Sequence, residues 1–202
     1  MRRPRLAKRP LEDAPQVEVL NLHELRAWLK DNHTTQNGVW LVHHKKASAN
    51  YIDMGDIVDE LLCWGWIDSL SRGKDELRTM HYIAPRNPKS NWSRVNKDKI
   101  DRLAAAERLQ SAGRAMVDLA KTTGTWSALD DVENGVVPPD LKAALGDDGL
   151  GDAWTALPRS VQRGALEILL NAKRAATRQS KIMTIVDALK AGERPFQWVK
   201  KS

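Results

Sequence analysis

Apolar and polar positions alternate along the chain with two periods, and these lay out its elements. Leu22, Leu25 and Leu29 fall on one helical stripe with Trp28 beside it, and Asn21 followed by Glu24 reads as a capping box. A helix is predicted up to about residue 33, before the turn signal Gln36-Asn37-Gly38. Residues 39–44, Val-Trp-Leu-Val-His-His, form a strand candidate that runs into Lys45-Lys46. Asp53 can cap a second helix, on which Met54, Ile57, Val58, Leu61 and Leu62 give the clearest stripe of the chain, stopped by Gly65. Residues 66–71 then alternate as a strand, 72–75 turn, and 77–83 return. Trp66, Asp68 and Leu70 share a face going out; Leu77, Thr79, His81 and Ile83 share one coming back.

Pro85 and Pro88 end this sheet, and Ser90 or Ser93 caps a helix with Asn96, Ile100 and Leu103 on one face. Ala115, Met116 and Leu119 form a short helix closed by Gly124. Residues 127–152 read as a long connection with a short helix after Pro138-Pro139. Pro158 opens a helix with the stripe Val161, Ala165, Ile168 and Leu169, and Ile182, Ile185, Val186 and Leu189 form the last stripe, closed by Gly192. The predicted fold class is α+β: a small antiparallel sheet with helices over residues 19–125, followed by a helical C-terminal lobe over 126–202. Residues 1–18 precede both as a basic, disordered tail.

Charge sharpens the picture once it is located. The net charge of +6 owes five positive charges to Arg2, Arg3, Arg5, Lys8 and Arg9, and without them 27 basic side chains face 26 acidic ones. The basicity belongs to the tail, which makes a nucleic-acid partner a weak expectation. No apolar run approaches the ~20 residues that span a bilayer, and no apolar segment follows Arg2-Arg3, so a cytoplasmic location is expected. Cys63 is the single cysteine, which forbids an internal disulfide. Eight Trp against one Phe and two Tyr is an unusual balance that suits both cores and ligand walls.

Three sets of residues carry a resemblance. Leu62-Cys63-Trp64-Gly65-Trp66-Ile67-Asp68-Ser69 is the first. Pro85-Arg86 with Ser90, Trp92-Ser93 and Asn96 is the second. Trp154-Thr155-Ala156-Leu157-Pro158 with Ala172-Lys173-Arg174-Ala175-Ala176-Thr177-Arg178 is the third. Together they resemble the YdeI/OmpD-associated, or bacteriocin-protection, family over roughly residues 20–195. The resemblance implies a role in bacteriocin or antimicrobial-stress protection and assigns no active site.

The first two motifs also invite a chemical reading. Arg86 offers a planar fork for a carboxylate or phosphate, and the helix starting near Ser90 adds free backbone N–H groups. Trp64, Trp66 and Trp92 can wall such a site, with Asp68, Ser93 and Asn96 at its edge and Lys45 reaching it from the first strand. Two readings stay open at this point: a pocket for an anionic, flat or sugar-like ligand, or an Asp68–Arg86 ion pair in a structural corner. Cys63 at a helix C-terminus, without a Cys-His motif, reads as a buried apolar residue. Adjacent His43 and His44 point to opposite strand faces, and no metal-ligand spacing or nucleotide motif occurs, so no metal or cofactor is expected. Arg159, Arg163, Lys173, Arg174, Arg178 and Lys181 make the last helices basic. The leading expectation is a non-enzymatic stress-protection protein that binds an anionic small molecule or a partner protein. Two alternatives stand beside it: an enzyme using Asp68, Arg86 and His81, and a nucleic-acid binder acting through the tail and the C-terminal helices.

Overall fold

The structure is a computed structural model that describes residues 11–196. The chain divides into two compact units, with the boundary between Ser127 and Ala128. The first is α+β. After a short 3-10 turn at Leu11–Asp13 come β1 (Gln16–Glu18), α1 (Leu22–Asn32), β2 (Val39–His44), α2 (Met54–Cys63), β3 (Trp66–Gly73), β4 (Arg78–Pro85), α3 (Arg94–Ala105) and α4 (Ser111–Thr123). The second unit is helical: α5 (Asp130–Asn134), α6 (Pro139–Asp147), α7 (Gly151–Thr155), α8 (Arg159–Asn171) and α9 (Ala175–Lys190).

The strands form one sheet in the order β1-β2-β4-β3. β4 is antiparallel to both β2 and β3, as the hairpin signal predicts, but β1 runs parallel to β2, so the sheet is mixed. β1 lies in the segment that composition assigns to a disordered tail. Three residues are too few for alternation to show, and the strand is held by pairing: Trp40 N–H donates to Pro15 O at 2.8 Å and Val19 N–H to Val42 O at 3.1 Å. The Trp40 indole N–H also donates to Leu11 O at 2.7 Å, tying the 3-10 turn to the sheet. The basic residues 2–9 lie outside the described residues.

Local signals place the helices. Asn21 Oδ1 accepts from Glu24 N–H and Glu24 Oε2 from Leu20 N–H, a capping pair for α1. Asp53 caps α2 through Gly55 N–H at 2.7 Å. Gly65, at φ 71°, supplies the left-handed residue that lets the chain turn from α2 into β3. On one side of α2, Ile57 and Leu61 pack with Leu25 and Leu29 of α1 against Val39, Leu41, Trp66 and Ile83 of the sheet. On the other side, Leu62 and Cys63 pack with Trp92, Ile100 and Leu103 and with Val117 of α4.

This double packing leaves α2 little solvent-facing surface, so Asp59 and Glu60 are each only 2% exposed. Both carboxylates are clamped. Asp59 accepts from Lys99 Nζ at 2.7 Å and Arg102 Nη2 at 2.5 Å, both on α3. Glu60 accepts two bonds from Arg26 of α1, at 3.0 and 2.9 Å, and one from Arg108 at 3.1 Å. Burial pushes both carboxyls up, but their basic partners outweigh it and hold them below the ordinary range.

β3 carries a bulge. Asp68 opposes Ile83 and Ser71 opposes His81, so one extra residue sits on β3 between them. Leu70 therefore leaves the face it shares with Trp66 by simple alternation and is 48% exposed.

Residues 127–152, nearly all in the second unit, are not an open connection. They hold α5, α6 and the start of α7, because their Gly and Pro residues act as helix punctuation: Pro139 opens α6, and Gly135, at φ 73°, closes α5. Leu141 and Trp154 join Ala165 and Leu169 of α8 and Ile182 and Ile185 of α9 in a separate core. Among the described residues no helix is long and apolar enough to cross a membrane.

Two substitutions test this packing. Glu60→Gln is expected to lower the unfolding free energy by about 1–3 kcal/mol, because the half-exposed Arg26 and Arg108 can rehydrate while the clamp is lost. Gly113→Ala is expected to cost about as much, since its Cβ would sit 2.3 Å from Cys63 O and 2.8 Å from Leu62 O and push α4 off α2. Urea denaturation monitored by Trp fluorescence reads both.

Candidate functional site

The residues expected to form one site separate into a corner and a sheet face. The corner lies where α2 ends, β4 ends and α3 begins. Arg86 follows β4, and its backbone N–H donates to Gly65 O at 2.9 Å. Its side chain is folded in: the residue is 5% exposed, and the guanidinium carbon lies 3.9 Å over the Trp92 ring. Nη2 donates to Asn91 O at 2.6 Å, while Nε is buried with no partner among the described residues. Burial lowers its pKa to about 10. Trp64 Nε1, one residue before Gly65, is a second buried donor without a partner among the described residues. Ser93, not Ser90, caps α3, its Oγ accepting from Asn96 N–H at 3.4 Å. Arg86, Trp92, Ser93 and Asn96 thus lie along one short stretch of chain, with Trp64 adjoining through Gly65.

Three expected members lie elsewhere. Trp66 is 1% exposed, its indole N–H donating to His33 O at 3.2 Å and its ring meeting the edge of Trp28 at 5.6 Å; it belongs to the core. Lys45 sits at the other end of the sheet, where Nζ donates to Asp75 O at 2.7 Å and Glu76 O at 3.2 Å. A Lys at a strand end finds the carbonyls of the adjacent hairpin turn before it finds a distant anion. Asp68 is half-buried on β3 and makes no ion pair with Arg86, so the structural pairing left open by the sequence is not formed.

Asp68 instead shares the inner sheet face with two histidines that register makes neighbours, His43 on β2 and His81 on β4. His43 Nε2 and His81 Nδ1 are 2.9 Å apart, with the rings stacked at 5.1 Å. His43 is 4% exposed and its Nδ1 is buried without a partner among the described residues. Burial, then the neighbouring His81, lowers the His43 pKa to about 4. Burial also lowers that of His81, partly opposed by Asp68. Position 43 is legible as inward-facing from its parity with Val39 and Leu41; its pairing with His81 follows only from strand register.

Cys63 is buried, and burial raises its thiol to about 11, which disfavours the thiolate at neutral pH. Among the described residues no cluster of three or more His, Cys, Asp or Glu is placed to hold a metal. The basic C-terminal strip is partly consumed by local partners: Arg178 grips Asp140 at 2.5 and 2.9 Å, and Arg163 contacts Glu167 at 3.0 Å and Glu133 at 3.5 Å. Beside it, a groove of about 430 Å³ between α8 and α9 is lined by Ile168, Asn171, Thr177 and Lys181 among others.

These features define an α+β protein with a buried cationic corner and a helical second unit. Residues 134–192 match the family described as bacteriocin-protection, YdeI or OmpD-associated, and residues 17–116 match a domain of unknown function, DUF8412. The first of these matches spans the third motif set, so this part of the chain is similar to YdeI/OmpD-associated proteins, while the first two motifs fall within the other matched segment. No curated protein and no solved structure matches the chain.

The histidine pair predicts an acid sensitivity above the carboxylate range. A depressed folded pKa means the unfolded chain binds protons more readily, so the contribution is present above about pH 6.5 and is lost as pH falls toward about 4. Urea midpoints are expected to drop between about pH 7.5 and 5, and His43→Gln is expected to flatten that drop. An unchanged profile in the variant would assign the sensitivity elsewhere.

Proposed function

We propose that the chain is a non-enzymatic, cytoplasmic binding protein that serves stress or bacteriocin protection by holding an anionic group at the Arg86 corner. The group belongs to a small molecule or to a partner protein. One observation carries this reading: Arg86 is nearly fully buried, yet among the described residues no carboxylate pairs with it and its Nε has no partner. Removing a guanidinium from water costs several kcal/mol unless charge and hydrogen bonds replace the lost hydration. The chain supplies one carbonyl and one indole face, and an incoming anion would supply the rest. The first turn of α3, beginning beyond Ser93, favours the same sign of charge. The family match in the second unit supports the protective role.

A second reading rests on the His43–His81 hydrogen bond. A buried histidine fixes the ring of a half-buried one beside Asp68, the arrangement a proton-transferring enzyme uses to orient its base. Its signature is a reaction lost in His81→Gln and retained in Arg86→Gln.

A thermal-shift screen of carboxylates, inorganic and sugar phosphates, nucleotides and cell-wall fragments tests the first reading. A ligand at about 100 times its Kd is expected to stabilise the fold by about 2.7 kcal/mol, and Arg86→Gln to remove the shift. Without ligand, Arg86→Met is expected to keep or raise the Tm, because it removes an unpaired buried charge while keeping the packing on Trp92. A loss above about 2 kcal/mol in that variant would make Arg86 a structural residue and overturn the proposal.

A further inference from the structure

The corner continues outward as a stack of rings and cations. Trp92, with Arg86 on its face, is 2% exposed; its ring lies 5.1 Å from that of Trp126 at 46°. Trp126 is half-buried, so it is the ring of this pair that reaches solvent. Its placement is fixed by backbone: Trp126 N–H donates to Ala120 O and Trp92 N–H to Thr125 O, both at 3.1 Å. Lys121, exposed in the last turn of α4, holds its ammonium 5.3 Å from the Trp126 ring centre, and Lys97 holds its own at 5.9 Å.

A lysine over a solvent-facing indole is a weak contact that a stacking aromatic group can replace. The displaced ammonium would then be left beside whatever anion the aromatic group carries. Two 3.9 and 5.1 Å steps link the guanidinium to the outer ring, a span within reach of one small molecule. The geometry points to a ligand that carries a planar aromatic group together with its anion, the ring on Trp126 and the charge toward Arg86 and Lys121. This rests on the anion reading of the Arg86 corner and adds the class of ligand. A nucleoside phosphate and an aromatic carboxylate share this chemistry.

The test is quenching of Trp fluorescence, cross-checked by calorimetry, on the full chain with inorganic phosphate, acetate, adenosine monophosphate and 2-hydroxybenzoate. At least one aromatic anion is expected to bind about tenfold or more tighter than the plain anion of the same charge group, and which one does so identifies the source. Trp126→Leu is expected to erase that advantage and leave plain-anion affinity within about twofold, while Lys121→Gln weakens the aromatic anion by a few fold. Arg86→Gln is expected to abolish binding of all four. Plain and aromatic anions binding alike, with Trp126→Leu silent, would overturn this inference and leave the anion reading standing. No binding by any of the four would overturn both. If Trp126→Leu loses its native circular dichroism, Trp126→Phe serves instead, and its full retention of the advantage with Lys121→Gln also silent counts against the inference.

Discussion

Helix α2 is squeezed from both flanks, and its two buried acids set the terms for the rest of the first unit. Ile57 and Leu61 need the sheet, and Leu62 and Cys63 need α3 and α4, which leaves Asp59 and Glu60 with nowhere to hydrate. Each carboxylate must then be met by a base from a different element. Arg26 fixes how α1 lies on α2, Lys99 and Arg102 fix α3, and Arg108 fixes the turn that follows. Because Trp92 and Ser93 immediately precede α3, the clamp on Asp59 also decides where the start of that helix sits relative to Arg86.

The treatment of opposite charges is unequal. Four bases serve two buried acids, while the buried arginine, Arg86, receives a carbonyl and an indole and, among the described residues, no acid. A fold that neutralises its acids so thoroughly has the means to pair one arginine. That imbalance sets Arg86 apart from the Arg178–Asp140 and Arg163–Glu167 pairs, which are partly exposed and locally satisfied.

Elements set by local chemistry were legible. The caps at Asn21, Asp53 and Ser93, the stop at Gly65 and the stripes of α2 and α9 are short-range signals, and the structure follows them. What depends on pairing between distant segments was not. β1 carries too little pattern to announce itself, and its parallel partner makes mixed a sheet that local signals read as antiparallel. The polar residues of α2 look solvent-facing until α3 covers them. At the candidate site, the chain brings Arg86, Trp92, Ser93 and Asn96 together because they are neighbours in sequence. It leaves out Lys45 and Trp66, whose inclusion required knowing which end of the sheet and which side of the strand each would occupy.

The extra residue between Asp68 and Ser71 has a consequence for assembly. β3 is the long outer strand of the sheet, and its exposed stretch is the surface on which another chain would add a strand. The bulge breaks the regular spacing of outward-facing N–H and C=O groups at its middle, so an incoming strand in register with Trp66–Asp68 falls out of register by Ser71. With Arg72 on the same strand, the sheet is capped against growth by edge-to-edge polymerisation, a safeguard that the three-residue strand at its other margin obtains by brevity alone.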